Sequence, residues 1–202
     1  MEVDVAGVRV VILPVIRGLV SERARVRAAI AEVRPAAIGL SISREDLAAL
    51  RSGPEGDPGP SGSEEEAYLA RLAAFADVDT PLGCFAEGVA AAGRSGIPVH
   101  PLDMDDAAFA SAYMDAVSAW EFLRSGARAA KMQRWRARTD TPEAFVAAWD
   151  ARVNRTRGLR ALQRQRESHI ALRIRELARD PGPVLAVVER ERANGVVDRM
   201  RA

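Results

Sequence analysis

An arginine interrupts the apolar series of the longest helical stretch in the chain. Leu159, Leu162, Ile170, Ile174 and Leu177 recur at helical spacing, and Arg166 fills the gap between Leu162 and Ile170. A guanidinium on a buried seam has to be paired, because removing it from water alone costs too much. Arg166 therefore marks a place where a carboxylate, backbone carbonyls or an anionic ligand is met. The two histidines are His100 and His169, and His169 follows Arg166 by three residues. With Glu87, Asp103 or Glu167 it would make a general-base pair or a weak metal site. No HExxH spacing supports that chemistry, and the plainer reading of His169 is a hydrogen-bonded residue at a helix seam. Cys84, at a helix start, is either a nucleophile or a small buried hydrophobe, and no histidine near it in sequence favours the first. The glycines lack both P-loop and dinucleotide-binding spacing, and no serine sits in a GxSxG elbow.

The 202 residues suit a single domain with a sizeable core. A composition 48% hydrophobic and 28% charged is that of an ordinary globular protein. One cysteine allows no internal disulfide, which fits a reducing, cytoplasmic compartment. The acidic opening Met1-Glu2-Val3-Asp4 is unlike a signal peptide, and the longest apolar run, Val10 to Ile16, is too short to span a membrane. The net charge of +1 hides a segregation: residues 41–120 carry fourteen Asp and Glu against four Arg, and residues 121–180 carry fifteen Lys and Arg against seven acids. Aromatic content of 5% without interleaved stacking residues argues against a nucleic-acid surface. Complementarity within the chain, or between two copies of it, is the expected use of the charge.

These residues have to be held by elements whose order is readable. Val8 to Val15 is a nearly continuous apolar run of the kind buried on both faces of a parallel sheet. A helix from Ser21-Glu22 buries Val26, Ala29, Ile30 and Val33 and stops at Arg34-Pro35, and Ala36 to Ile42 is the second strand. This βαβ spacing predicts parallel neighbours with a right-handed crossover. A short helix, Arg44 to Leu50, leads to a mobile Gly/Pro/Ser-rich loop at 52–63. Glu64, Glu65 and Glu66 then charge the first turn of a helix. A helix from Pro81 to Arg94 and a strand at Ile97 to Val99 follow. Asp103 is expected to cap a helix carrying Phe109, Tyr113, Val117 and Trp120 on one face. A basic helix covers Arg124 to Arg138, Thr141-Pro142 opens another with Phe145, Trp149 and Val153 inside, and the long helix runs from Thr156 to Arg179. Asp180-Pro181-Gly182-Pro183 turns the chain into an apolar strand, Val184 to Val188, before a last helix. The expected fold is α/β: a small, mostly parallel sheet with an N-terminal βαβ unit, long C-terminal helices and a closing strand.

Three segments of this plan resemble the TraB/PrgY superfamily, which includes the GumN and Tiki proteins. VRVVILPVIRGLVSERARVRAAIAEVRPAAIGLSI looks like the family's opening strand, helix and strand. FAEGVAAAGRSGIPVHPLDMDD is similar to its middle segment, and RQRESHIALRIRELARDPGPVLAVVERERANG to its closing helix, strand and turn. The resemblance implies metal-dependent hydrolase chemistry, with a histidine on each of two turns after strands helping to bind the metal. Here Arg17 stands in the first of those positions and Arg192 in the second, and Ser41 replaces the usual glutamate of the second strand. Arginine has no lone pair to give a metal, so the expected ligands are missing.

What remains is a converted site. By the resemblance, Arg17 and Arg192 lie at the C-terminal ends of two strands, where α/β proteins bind ligands, and Arg166 reaches the same place. Together with Glu189 and Ser41 they are expected to bind an anionic small molecule without metal or cofactor. The competing expectation pairs each arginine with an acid of the chain, Glu189, Glu191, Glu87 or Asp103. A hydrolase of the TraB/Tiki type with a remodelled site, using Glu87 and His169, is the catalytic alternative. A homodimer is also expected, because the two aromatic helices carry more apolar groups than one small sheet needs to cover.

Overall fold

The computed structural model describes residues 1–53, 62–123, 132 and 134–201. Most of the loop expected at 52–63, and most of the basic stretch from Arg124, lie outside the described residues; residues 135–139 are not helical.

The chain is α/β, with a five-stranded sheet at its centre. Strands β1 (Glu2–Val5) and β2 (Val8–Val15) form an antiparallel hairpin. Ala6 and Gly7 turn it with φ of 52° and 86°, the left-handed pair that a two-residue hairpin needs. Helix α1 (Val20–Val33) leads to β3 (Ala37–Leu40), and α2 (Arg44–Arg51) and α3 (Ser63–Leu72) follow. After α4 (Gly83–Ser95) come the three-residue strand β4 (Val99–Pro101), α5 (Asp106–Ala116) and α6 (Ala119–Leu123). The C-terminal part is α7 (Pro142–Val153), α8 (Arg157–Leu177), β5 (Val184–Glu189) and α9 (Arg190–Arg201).

The strand order is β1-β2-β5-β3-β4, and every pair except β1–β2 is parallel. β2 and β3 are parallel, as the βαβ spacing predicts, but they are not neighbours. β5, from the other end of the chain, lies between them and bonds to both. The physical reason is its composition: all six residues of VLAVVE are buried, so both faces and both edges must be covered. Leu185 and Val187 face a core made with α1 and α4, including Val26, Ile30 and Phe85. Val184, Ala186 and Val188 face the other way, onto Ile170 and Ile174 of α8 and Val196 and Val197 of α9. Side chains alternate across a strand, so one strand serves two cores. A third cluster, Ile16, Leu72, Phe145, Val146 and Trp149, lies past the C-terminal end of β2.

Two local expectations change. Asp105, not Asp103, caps α5, its carboxylate accepting from the Ala108 N–H at 2.8 Å. The single aromatic helix is broken into α5 and α6, and α5 buries none of its residues; Phe109 is 38% exposed and Trp120 63%. Glu121 explains the break. Its carboxylate accepts from Ser118 N at 3.1 Å and from Gly158 N at 3.1 Å, so it closes the first turn of α6 and the start of α8 together.

Candidate functional site

Arg17 lies just past β2, and Arg192 lies in the first turn of α9, just past β5. The two strands are adjacent and in register at their ends, Val15 opposite Glu189. Arg166 comes from the middle of α8. These three elements meet at one cavity of about 360 Å³, lined by Arg17, Arg166 and Arg192 together with Glu65, Tyr68 and Asp150 among others. The sheet's C-terminal edge is where an open α/β fold leaves a crevice.

The arginines converge and each is also paired. Glu189, buried, is clasped between two of them: Oε1 lies 2.9 Å from Arg17 Nε, and Oε2 accepts from Arg192 Nε at 2.6 Å. Arg17 Nη1 reaches Glu65 at 3.2 Å, and the Tyr68 hydroxyl donates to the Arg17 carbonyl at 3.4 Å. Arg166 grips Asp103 through Nε, 3.1 Å from Oδ2, and through Nη2. Burial would push the Glu189 carboxyl up, but Arg17, Arg192 and Arg166 outweigh it and hold it down at about 2. Burial lowers the Arg17 guanidinium less than Glu189, Glu191 and Glu65 raise it, and Arg192 is raised in the same way, mainly by Glu189 and Glu191.

Glu191 has the opposite fate. Burial and the charge of Glu189 push its carboxyl up to about 7, so it changes charge near neutral pH. Asp150 is also raised, first by burial. Both belong to two cavities at once: a second, of about 630 Å³, runs along Thr141, Arg190 and Asn194 and shares Val146, Asp150 and Glu191 with the first. An aromatic floor supports the site, with Tyr68 edge-on to Trp149 at 5.6 Å and Phe145 at 5.7 Å from Trp149.

The other expected site residues lie elsewhere. Ser41 is buried behind the cavity, where its hydroxyl accepts from Glu189 N at 3.0 Å and fixes the end of β5 against β3. Glu87 is on α4, held by Arg27 at 3.2 Å and Arg94 at 3.3 Å, and does not line the cavity. His169 is half-buried on α8 and His100 lies on β4; neither lines it. Asp103 holds Arg166 instead of capping a helix. Cys84 is buried, and burial pushes its thiol up to about 12, which removes its nucleophilicity. Among the described residues, no group of three or more His, Cys, Asp and Glu is arranged to hold a metal ion.

Sequence reasoning passed over Glu65, Tyr68, Asp150, Asn154 and Gln163. Two signals were present: an acidic helix start facing a lone arginine, and a pair, Asp150 and Asn154, one helical turn apart. Among known proteins, no family model and no curated sequence matches the chain. No helix among the described residues is long and apolar enough to cross a membrane.

Proposed function

We propose that the protein is a divergent TraB-like binding protein, without the family's metal site, that takes a small ligand through an anionic group. The observation that carries this reading is the meeting of Arg17, Arg166 and Arg192, from three separate elements, at one cavity. Support for the family reading comes from the placement of Arg17 and Arg192 past two adjacent parallel strands. A guanidinium offers a carboxylate or phosphate two parallel donors, so the site would fix orientation as well as charge.

A thermal-shift screen against inorganic phosphate and small carboxylates tests this. A ligand at a hundred times its Kd adds about 2.7 kcal/mol to the native state, enough to move the melting temperature visibly. The expected result is a rise that disappears in Arg17→Gln, a variant in which Glu189 keeps Arg192 as its partner. No rise with any anion, from folded protein, overturns the reading.

A second copy of the chain is proposed as the partner of α5. Met114 is 77% exposed, and Leu172, on the neighbouring α8, 52%. A two-fold pair would cover such positions, and the segregated charge would orient it. Light scattering that gives a monomer mass at micromolar concentration removes the dimer. A cytoplasmic location is proposed with it, on the strength of the single, buried cysteine.

A further inference from the structure

The cavity contains a polarised relay that simple anion binding leaves unused. Arg166 Nη1 donates to Gln163 Oε1 at 3.3 Å, and Arg192 Nη1 donates to the same oxygen. Gln163 Nε2 donates to Asn154 Oδ1 at 3.1 Å, and Asn154 Nδ2 donates to Asp150 Oδ1 at 2.7 Å. Guanidiniums only donate and carboxylates only accept, so both amides have a single orientation. Dipoles aligned in series reinforce one another, and the wall runs from a positive end at the arginines to a negative end at Asp150.

Charge points the same way. Three guanidiniums and the Asp150 carboxyl line the cavity, and the carboxylates of Glu189 and Asp103 stand behind the arginines. A ligand that is only an anion makes no use of Asp150. Asp150 makes no ion pair among the described residues, whereas Arg17 Nη2 and Arg192 Nη2 make no hydrogen bond there and remain as donors.

We infer that the cavity binds a zwitterionic small molecule of amino-acid size, its anionic group at Arg17 and Arg192 and its ammonium group at Asp150. This rests on the reading of the cavity as a ligand site and narrows its ligand class. A volume of about 360 Å³ suits such a molecule, being near the lower end of ligand sites, about 300–1,000 Å³.

Isothermal titration of the full chain at neutral pH tests the inference, with the twenty standard α-amino acids as probes and acetate, inorganic phosphate and ethylammonium as single-charge comparisons. At least one amino acid is expected to bind with Kd below ~1 mM and about tenfold more tightly than any single-charge probe. In Asp150→Asn, which keeps the acceptor for Asn154, amino-acid affinity should fall about tenfold and acetate affinity should hold. Acetate or phosphate binding as tightly as every amino acid overturns the zwitterion and leaves the anion site standing. Unchanged amino-acid affinity in Asp150→Asn also overturns it. No binding by any probe overturns both readings.

Discussion

Arg166 on α8 and Asp103, 63 residues apart in the chain, form a two-pronged ion pair, Nε and Nη2 both donating to the aspartate carboxylate. The pair ties the strand-rich N-terminal part to the helical return. The Asp103 side chain is 5% exposed and that of Arg166 17%, so removing one charge strands the other. Asp103→Asn should cost about 3–5 kcal/mol, read by urea denaturation. A cost within ~0.5 kcal/mol would mean that water already reaches the pair.

Glu189 sets the acid limb of stability. Its carboxyl is held at about 2 against an ordinary 4.5, so its contribution is complete above 4.5 and is lost as pH falls towards about 2. Glu121, held at about 2 chiefly by backbone N–H groups of Ser118 and Gly158 and by the Thr156 hydroxyl, acts with the same sign at the α6–α8 junction. Urea denaturation at stepped pH should show stability falling through this window, with a flatter fall in Glu189→Gln, which starts from a lower value at neutral pH.

Glu191 acts with the opposite sign. Its carboxyl is raised from 4.5 to about 7, so the folded chain binds more protons than the unfolded chain between those values, and its contribution is lost as pH rises through about 7. Glu191→Gln should therefore be more stable than the parent above neutrality, with the pH dependence over this window reduced. A parent curve that is flat from 4.5 to 7 would place this carboxyl in water.

Gly195 lies inside α9, where alanine would ordinarily gain about 1 kcal/mol of helix propensity. A methyl group there would collide with the Glu167 carboxylate, which is fixed by Arg199 at 2.7 Å. Gly195→Ala should therefore fall short of that gain, and Glu167→Ala in the same chain should restore it. Melting temperatures of the two variants check this.

Apolar periodicity made most elements legible. Val8 to Val15 reads as a strand and is one, and Arg166 on the apolar seam of α8 announces a pairing site that the structure supplies. The hidden part is what depends on partners distant in sequence. Asp103 has the chemistry of a helix cap, and only the approach of α8 makes it an ion-pair partner. Neighbourhood in the sheet is hidden for the same reason: β2-α1-β3 spacing fixes direction, not whether another strand enters between. Gln163 and Asn154 carry no signal of their own in the sequence, and their relay exists only where α8 meets the C-terminal end of α7.

The middle strand of the sheet belongs to the last fifth of the chain. Until residues 184–189 arrive, β2 and β3 have no hydrogen-bonding partner in common, and Val10 must wait for Val184. Pairings this remote close large loops before they gain anything, which slows folding. The pairings of β5 are therefore the slow ones of the sheet. Its first strands stay open to wrong partners in the meantime, and a chain cut before β5 would retain two exposed edges in place of a centre.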